Sequence, residues 1–549
     1  MKILKFTYLL SILLIDFYPI SAQVNRYMVF LTDKNNSAYS LNKPEVFLSA
    51  RSLARKKRHN IDIDLLDLPV SDTYLQDLSS LNLDVFFTSK WMNALLIQTD
   101  SSTSQDVALK PYVDSVVFVA PGVKLTSEYG NYEWPDVFEE PKNHLESSNL
   151  QLAMMNVHQM HADGYQGEGI LIAVLDAGFL GANLFKPLES VFRENRLIAA
   201  KDFVTNGGNP FLYSGHGTGA WSTIASDYNN FVGTAPKAEF ILCVTEDVSS
   251  EYRIEEYNWL LAAEYADSLG ADIITSSLGY SDFTDSSMDY IYQDMDGQTA
   301  LITRASNLAI KKGLLVVTSA GNEGNDNWRY ITAPADGIGN ITVGSVKSDY
   351  NISSFSSQGP TADNRIKPDL VALGQGTTLL TSNGDISQAN GTSFSAPLIA
   401  GFSAGIWQSH PEFTNLEVVD YLHNLGTRFD EPDNYFGYGI PIYLTEKDSL
   451  IETDTTILSL SEFATEHITV YPNPIYGNVV SLKIDSKVDI YPLHIKLLGL
   501  EGNIVSEHNV LKAPSQGLIS MNISNTRSGV YILILSSRKM SRKIKLIKY

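Results

Sequence analysis

Apolar positions in this chain fall into short runs with two different periods. Between 150 and 445, five runs are almost unbroken: ILIAVLD (170–176), EFILCVT (239–245), DIITSS (272–277), LLVVTSA (314–320) and NITVGS (340–345). Runs of this length without alternation read as strands buried on both faces, as in a parallel sheet. Between them, apolar spacing of three to four residues marks helices near 218–227, 253–269, 298–312 and 394–409. The alternation of strand and helix predicts a doubly wound, mostly parallel α/β sheet, with functional groups at the carboxyl ends of its strands.

The flanks have other rhythms. YMVFLT (27–32), DVFFTSKWMNALLIQT (84–99) and VDSVVFVA (113–120) surround a helical stretch at Phe47–Lys57, which predicts a small α+β domain over 24–124. The basic run Arg55-Lys56-Lys57-Arg58 reads as a solvated helix face, with a processing site as the other reading. Residues 125–149, rich in Glu and Pro, read as an exposed linker, and 446–464 as a second one. From 465 to 549, short alternating segments such as VVSLKI and GVYILILSS predict an all-β sandwich. At the start, Lys2 and Lys5 precede an apolar stretch from Phe6 to Ile15, and Ile20-Ser21-Ala22 ends in a small residue, the pattern of a secretory signal peptide over 1–22. No later run is long and apolar enough to cross a membrane.

Composition narrows the classes. With 44% hydrophobic and 19% charged residues, the chain of 549 residues is globular and large enough for several domains. The net charge of −22 argues against a nucleic-acid partner. The excess has one address: residues 145–450 hold 37 acidic and 15 basic side chains, and the flanks nearly cancel. The one cysteine, Cys243, excludes an intrachain disulfide and reads as a packed core thiol.

Four motifs in the central block carry chemistry. AVLDAG (173–178) places Asp176 at the end of a strand; SGHGTG (214–219) places His216 between glycines ahead of a helix. GTSFSAP (391–397) places Ser393 at the head of an apolar helix, and SAGNEG (319–324) sets Asn322 on a glycine-flanked turn. Taken singly, these are a turn residue, a structural histidine, a helix cap and a left-handed turn residue. Together they supply a hydroxyl nucleophile, an imidazole to take its proton, and a carboxylate to orient that imidazole. A helix amino terminus and a carboxamide can then stabilise an oxyanion.

AVLDAG, SGHGTG, SSLG (276–279), SAGNEG and GTSFSAP, in that order, resemble the subtilisin-like serine peptidases. FSSQGP (355–360) followed by KPDLVALG (367–374) is similar to the same family. The resemblance implies a catalytic triad of Asp176, His216 and Ser393, with Asn322 in the oxyanion hole. It also implies that Ser277, Leu278, Gly279, Ala320 and Gly321 hold the substrate as an added strand. Four positions depart from the family pattern: Ala177, where Ser or Thr is usual, Gly219, and the pair Phe394-Ser395. Residues 24–124 resemble, more loosely, the ferredoxin-like inhibitory propeptide of the family. Residues 465–549, with VYPNP and the ending KIKLIKY, resemble the sorting domain of the type IX (Por) secretion system of Bacteroidetes.

The resulting expectation is a serine endopeptidase made as a precursor and exported across both membranes to the medium or cell surface. It acts on polypeptides, is inhibited by its own propeptide and engages the type IX machinery. The chemistry requires no cofactor. The acidic segment with Asp282, Asp285, Asp289, Asp294 and Asp296, whose spacing is not that of an EF-hand, reads as a solvated loop, with structural calcium as the minority reading. Glu246, Asp247 and Glu251 are expected to favour basic substrates. Two rival classes are a catalytically dead binding protein, which the intact triad opposes, and an esterase, which would need a G-x-S-x-G elbow around its serine.

Overall fold

The N-terminal region folds around an antiparallel sheet in the computed structural model of the chain. Its strands Val24–Leu31 (β1), Asp84–Ser89 (β2), Ala94–Asp100 (β3) and Val113–Pro121 (β4) are ordered β2-β3-β1-β4. Helices Ala50–Arg58 (α1), Asp72–Ser79 (α2) and Ser101–Ala108 (α3) connect them, giving the split βαβ order of a ferredoxin-like domain. The run 84–99 divides into a hairpin at Asn93, whose φ of 48° turns the chain. Residues 24–81, 83–123, 135, 137–143 and 148–445 are described, together with 468–472, 475, 477–484, 493–499, 504–510, 512, 518–524, 526–527, 529–537 and 540–548. The expected signal peptide, the second linker and the acidic part of the first linker (Glu128, Glu133, Trp134) lie outside them.

The central region opens with Asn149–Ala153 (α4) and Val157–Ala162 (α5). There follow Leu171–Asp176 (β5), Glu189–Arg193 (α6), Leu197–Asp202 (β6), His216–Ala225 (α7) and a small hairpin, Asp227–Tyr228 (β7) with Phe231–Val232 (β8). Next come Glu239–Val244 (β9), Ile254–Leu269 (α8), Ile273–Ser276 (β10), Leu301–Lys311 (α9), Leu315–Ser319 (β11), Ile341–Val346 (β12) and Leu370–Leu373 (β13). The hairpin Gln375–Leu380 (β14) and Ile386–Asn390 (β15) leads into Thr392–Ser409 (α10) and Asn415–Asn424 (α11). Seven strands pair in parallel in the order β13-β12-β11-β10-β5-β9-β6. Every residue of β5 is buried, because both faces are covered. Ile172 and Val174 face a core with Trp221 of α7 and Phe402 of α10, whereas Leu171, Ala173 and Leu175 face one with Trp259 of α8. Cys243 lies in this second core, and burial pushes its thiol up to about 12.

The N-terminal domain packs on the α8 side of the sheet. Met28, Phe86, Trp91 and Leu96 share the core that holds Trp259 and Leu260. Here the reading of Arg55–Arg58 as a solvated face is corrected. Arg55 and Lys56 are 2% and 1% exposed and point inward, while Lys57 and Arg58 remain exposed. Asp267 of α8 receives both buried cations and Lys90 as well, and Lys56 also meets Asp67. At the amino edge of the sheet, Arg51 pairs with Glu239 and Asp272. A carboxylate partner across the interface makes burial of these cations tolerable.

The first linker is corrected too. Phe138 is 2% exposed and packs against Phe192 at 5.6 Å. Glu139 exchanges backbone hydrogen bonds with Leu184 and Lys186, so this stretch docks on the central region.

In the C-terminal unit, Ile468–Tyr471 (β16), Val479–Ile484 (β17), Leu493–Gly499 (β18), Ile504–Val510 (β19), Leu518–Asn522 (β20), Gly529–Ser537 (β21) and Met540–Lys548 (β22) form two sheets. Their orders are β16-β17-β20 and β19-β18-β21-β22, and one core with Leu482, Ile495 and Leu533 joins them as a sandwich.

Candidate active site

The carboxyl edge of the sheet gathers the residues that the motifs singled out. Asp176 ends β5, 1% exposed, and its Oδ1 accepts from the Ala177 N–H at 2.7 Å. His216 begins α7, and its Nδ1 lies 2.8 Å from the same oxygen. This approach needs the glycine that follows: a β-carbon on Gly217 would lie 2.9 Å from Asp176 Cβ. Asp176 Oδ2 is buried without a hydrogen-bond partner among the described residues, beside the Ala177 that replaces the family's hydroxyl. The Asp176 charge pushes His216 up to about 9, against its partial desolvation. Burial, and then the Asp176 charge, pushes Glu246 up to about 8. Raised in this way, Glu246 carries less negative charge at neutral pH than an ordinary carboxylate.

Ser393 lies in the first turn of α10 and is 8% exposed. In that turn, backbone N–H groups lack intrahelical acceptors and the helix dipole favours negative charge. Ser393 Oγ donates to the Ser277 carbonyl at 3.3 Å, and Ser277 Oγ donates to the Ser393 carbonyl at 2.7 Å. Among the described residues Ser393 makes no hydrogen bond to His216, whose ring instead packs 5.6 Å from Phe394. Asn322 is exposed, and its Oδ1 accepts from Thr392 N–H at 2.9 Å and Thr392 Oγ1 at 3.1 Å. With that oxygen engaged, the Nδ2 end is left to donate. Thr392 thus fixes the Asn322 carboxamide; it stood within GTSFSAP but carried no signal beside the serine.

Two segments border Ser393. Ser277, Leu278 and Gly279 leave the end of β10, and Ala320 and Gly321 leave the end of β11. Ser319 Oγ donates to the Leu278 carbonyl at 3.3 Å, and Thr392 Oγ1 donates to the Gly321 carbonyl at 3.1 Å. Beyond Asp176, a cavity of about 260 Å³ is lined by Ala177, Ser214 and Glu246, and by Val123 of the N-terminal domain. Gln98 fixes Val123 there through paired hydrogen bonds of 2.9 and 3.0 Å.

The acidic segment does not converge. Asp285 caps Ser287, Asp289 accepts from Phe283, Asp294 from Ile291, and Asp296 from Gln298 and Thr299, while Asp282 accepts from Ser281. Among the described residues no three His, Cys, Asp or Glu side chains come together to hold a metal ion.

An imidazole–carboxylate pair and a helix-borne serine on the carboxyl edge of a parallel sheet define a serine hydrolase. Its kind is given by the comparisons with known proteins. Residues 167–439 belong to the Subtilase family, and the chain is a subtilisin-like serine peptidase, a hydrolase of peptide bonds. Residues 26–131 match the peptidase S8 propeptide domain of Bacteroidota, and 469–549 the secretion system C-terminal sorting domain. Subtilisin E of Bacillus subtilis (strain 168) is 28% identical over 316 residues, 56% of this chain and 74% of its own. The major intracellular serine protease of the same organism is 29% identical over 345 residues, 60% of this chain and 96% of its own. Among solved structures, MycP1 from the ESX-1 type VII secretion system is 20% identical with a TM-score of 0.44, covering 59% of this chain and 92% of its own. The sorting domain marks the chain for type IX export, to the medium or the cell surface. Among the described residues no helix is long and apolar enough to cross a membrane.

Proposed function

We propose that the protein is a serine endopeptidase working through Asp176, His216 and Ser393, exported across both membranes and held inactive by its propeptide until maturation. The observation that carries this reading is the His216–Asp176 pair at 2.8 Å, with Ser393 on the adjoining helix terminus. Rotation of the Ser393 hydroxyl from the Ser277 carbonyl toward His216 Nε2 prepares it for attack, a contact that often tightens only with substrate bound. As Oγ bonds to the peptide carbonyl carbon, His216 takes its proton, and Asp176 stabilises the imidazolium. Asn322 Nδ2 and the Ser393 N–H meet the developing oxyanion. His216 then protonates the leaving amine, the C–N bond breaks, and water, deprotonated by the same imidazole, hydrolyses the acyl-enzyme. Side chains and water suffice for these steps. The substrate lies between Ser277–Gly279 and Ala320–Gly321 as an added strand.

The test is casein hydrolysis together with labelling by a fluorophosphonate probe. Wild type labels at Ser393 and cleaves; Ser393→Ala does neither and keeps its propeptide. Asn322→Ala lowers turnover on the order of 10²–10³ with labelling still detectable. Full activity in Ser393→Ala ends the proposal.

A further inference from the structure

Behind the two segments that border Ser393 stands a threonine that the chemistry does not use. Thr332 is 2% exposed, and its Oγ1 has no hydrogen-bond partner among the described residues. A β-carbon on Gly279 would overlap that hydroxyl, and one on Gly321 would lie 3.0 Å from it. The hydroxyl therefore touches the inner faces of both segments and fills the space between them. The Thr332 N–H donates to the Ala320 carbonyl at 3.3 Å, which fixes the residue in place. Tyr280 and Ala333 close the far end through paired backbone bonds of 2.9 and 3.1 Å. On the Gly321 side, Glu323 is held by Ser357 Oγ at 2.7 Å.

In an extended peptide, successive side chains point to opposite sides. The residue whose carbonyl meets Ser393 lies between the flanking segments, so its side chain enters this gap. We infer that Thr332 closes the gap and restricts the residue on the acyl side of the cleaved bond to a small one: glycine, alanine or serine. A leucine, phenylalanine or lysine needs the volume that Thr332 occupies. The unpaired hydroxyl favours serine further, since a buried polar group gains by finding a partner. This specificity rests on the reading of Ser393 as the nucleophile.

The experiment compares kcat/KM for otherwise identical peptides with alanine, serine, phenylalanine or lysine before the scissile bond. It uses the secreted enzyme, with rates taken per fluorophosphonate-labelled Ser393. Pocket contacts of one or two carbons discriminate about 10–200-fold. Wild type favours alanine over phenylalanine by about tenfold or more, and Thr332→Gly shrinks that ratio by about tenfold or more. Thr332→Val keeps the bulk and therefore keeps the alanine-to-phenylalanine ratio. Preference of wild type for phenylalanine or lysine overturns the inference, as does an unchanged ratio in Thr332→Gly; both leave the peptidase reading standing. No labelling and no cleavage of any peptide overturns both.

Discussion

His216 holds its proton more tightly than an ordinary imidazole, first because of the Asp176 charge. A general base works only when unprotonated, so the rising limb of kcat/KM with pH is expected near 9 rather than near 6.5. Asp176→Asn should move that limb down toward 6.5 and lower the plateau; a pH–rate profile of both enzymes reads it. The sign for stability follows from the same shift. The pair's contribution is complete below pH 6.5 and fades as pH rises through about 9. The residues of this site were legible because each sits in a short motif whose glycines and strand ends declare a tight approach. Thr332 was not legible: in RYITAPADG nothing distinguishes a buried hydroxyl from a turn threonine until Gly279 and Gly321 close on it.

Among the elements, β5, β9, β10, β11 and β12 were readable from sequence because both their faces are covered and their apolar residues run without alternation. β6 was not, since only Asp202 at its end is buried and Lys201 interrupts it. Helices α2 and α3 escaped as well. α3 rests on a cap, Asp100 accepting from Ser102 and Thr103, more than on an apolar stripe. The basic run of α1 misled because its partner, Asp267, stands far along the chain on α8. Burial alone would push the Asp267 carboxyl up, yet Lys90, Arg55 and Lys56 hold it well below the usual range. Asp267→Ala leaves three cations without that partner, and breaking such a buried pair costs about 3–5 kcal/mol. Residues 24–123 added in trans to the matured variant should then inhibit it some 10²–10³-fold more weakly. An unchanged inhibition constant would show that the apolar contacts around Trp91 carry the interface.

At the scale of the whole molecule, charge and domain order become one story. The excess of acidic groups lies in the peptidase block, and part of it, Glu239, Asp267 and Asp272, is neutralised by the propeptide helix α1. Separation of the two therefore exposes acidic surface on one side and basic surface on the other, and salt should speed it. The C-terminal sandwich has its own core, which fits a module that serves export and not chemistry. Its strands were readable because they alternate, with one face apolar.

The paired bonds from Gln98 hold Val123 in the cavity beside Ala177 and Ser214. At Val123 the propeptide domain thus lies within reach of the reacting groups, tethered on the same molecule. A tether replaces collision by a fixed local concentration, which dilution does not alter. Conversion of the precursor should therefore be first order, with one half-time across a wide range of protein concentration. The cell would start this clock at folding, however few copies it has made.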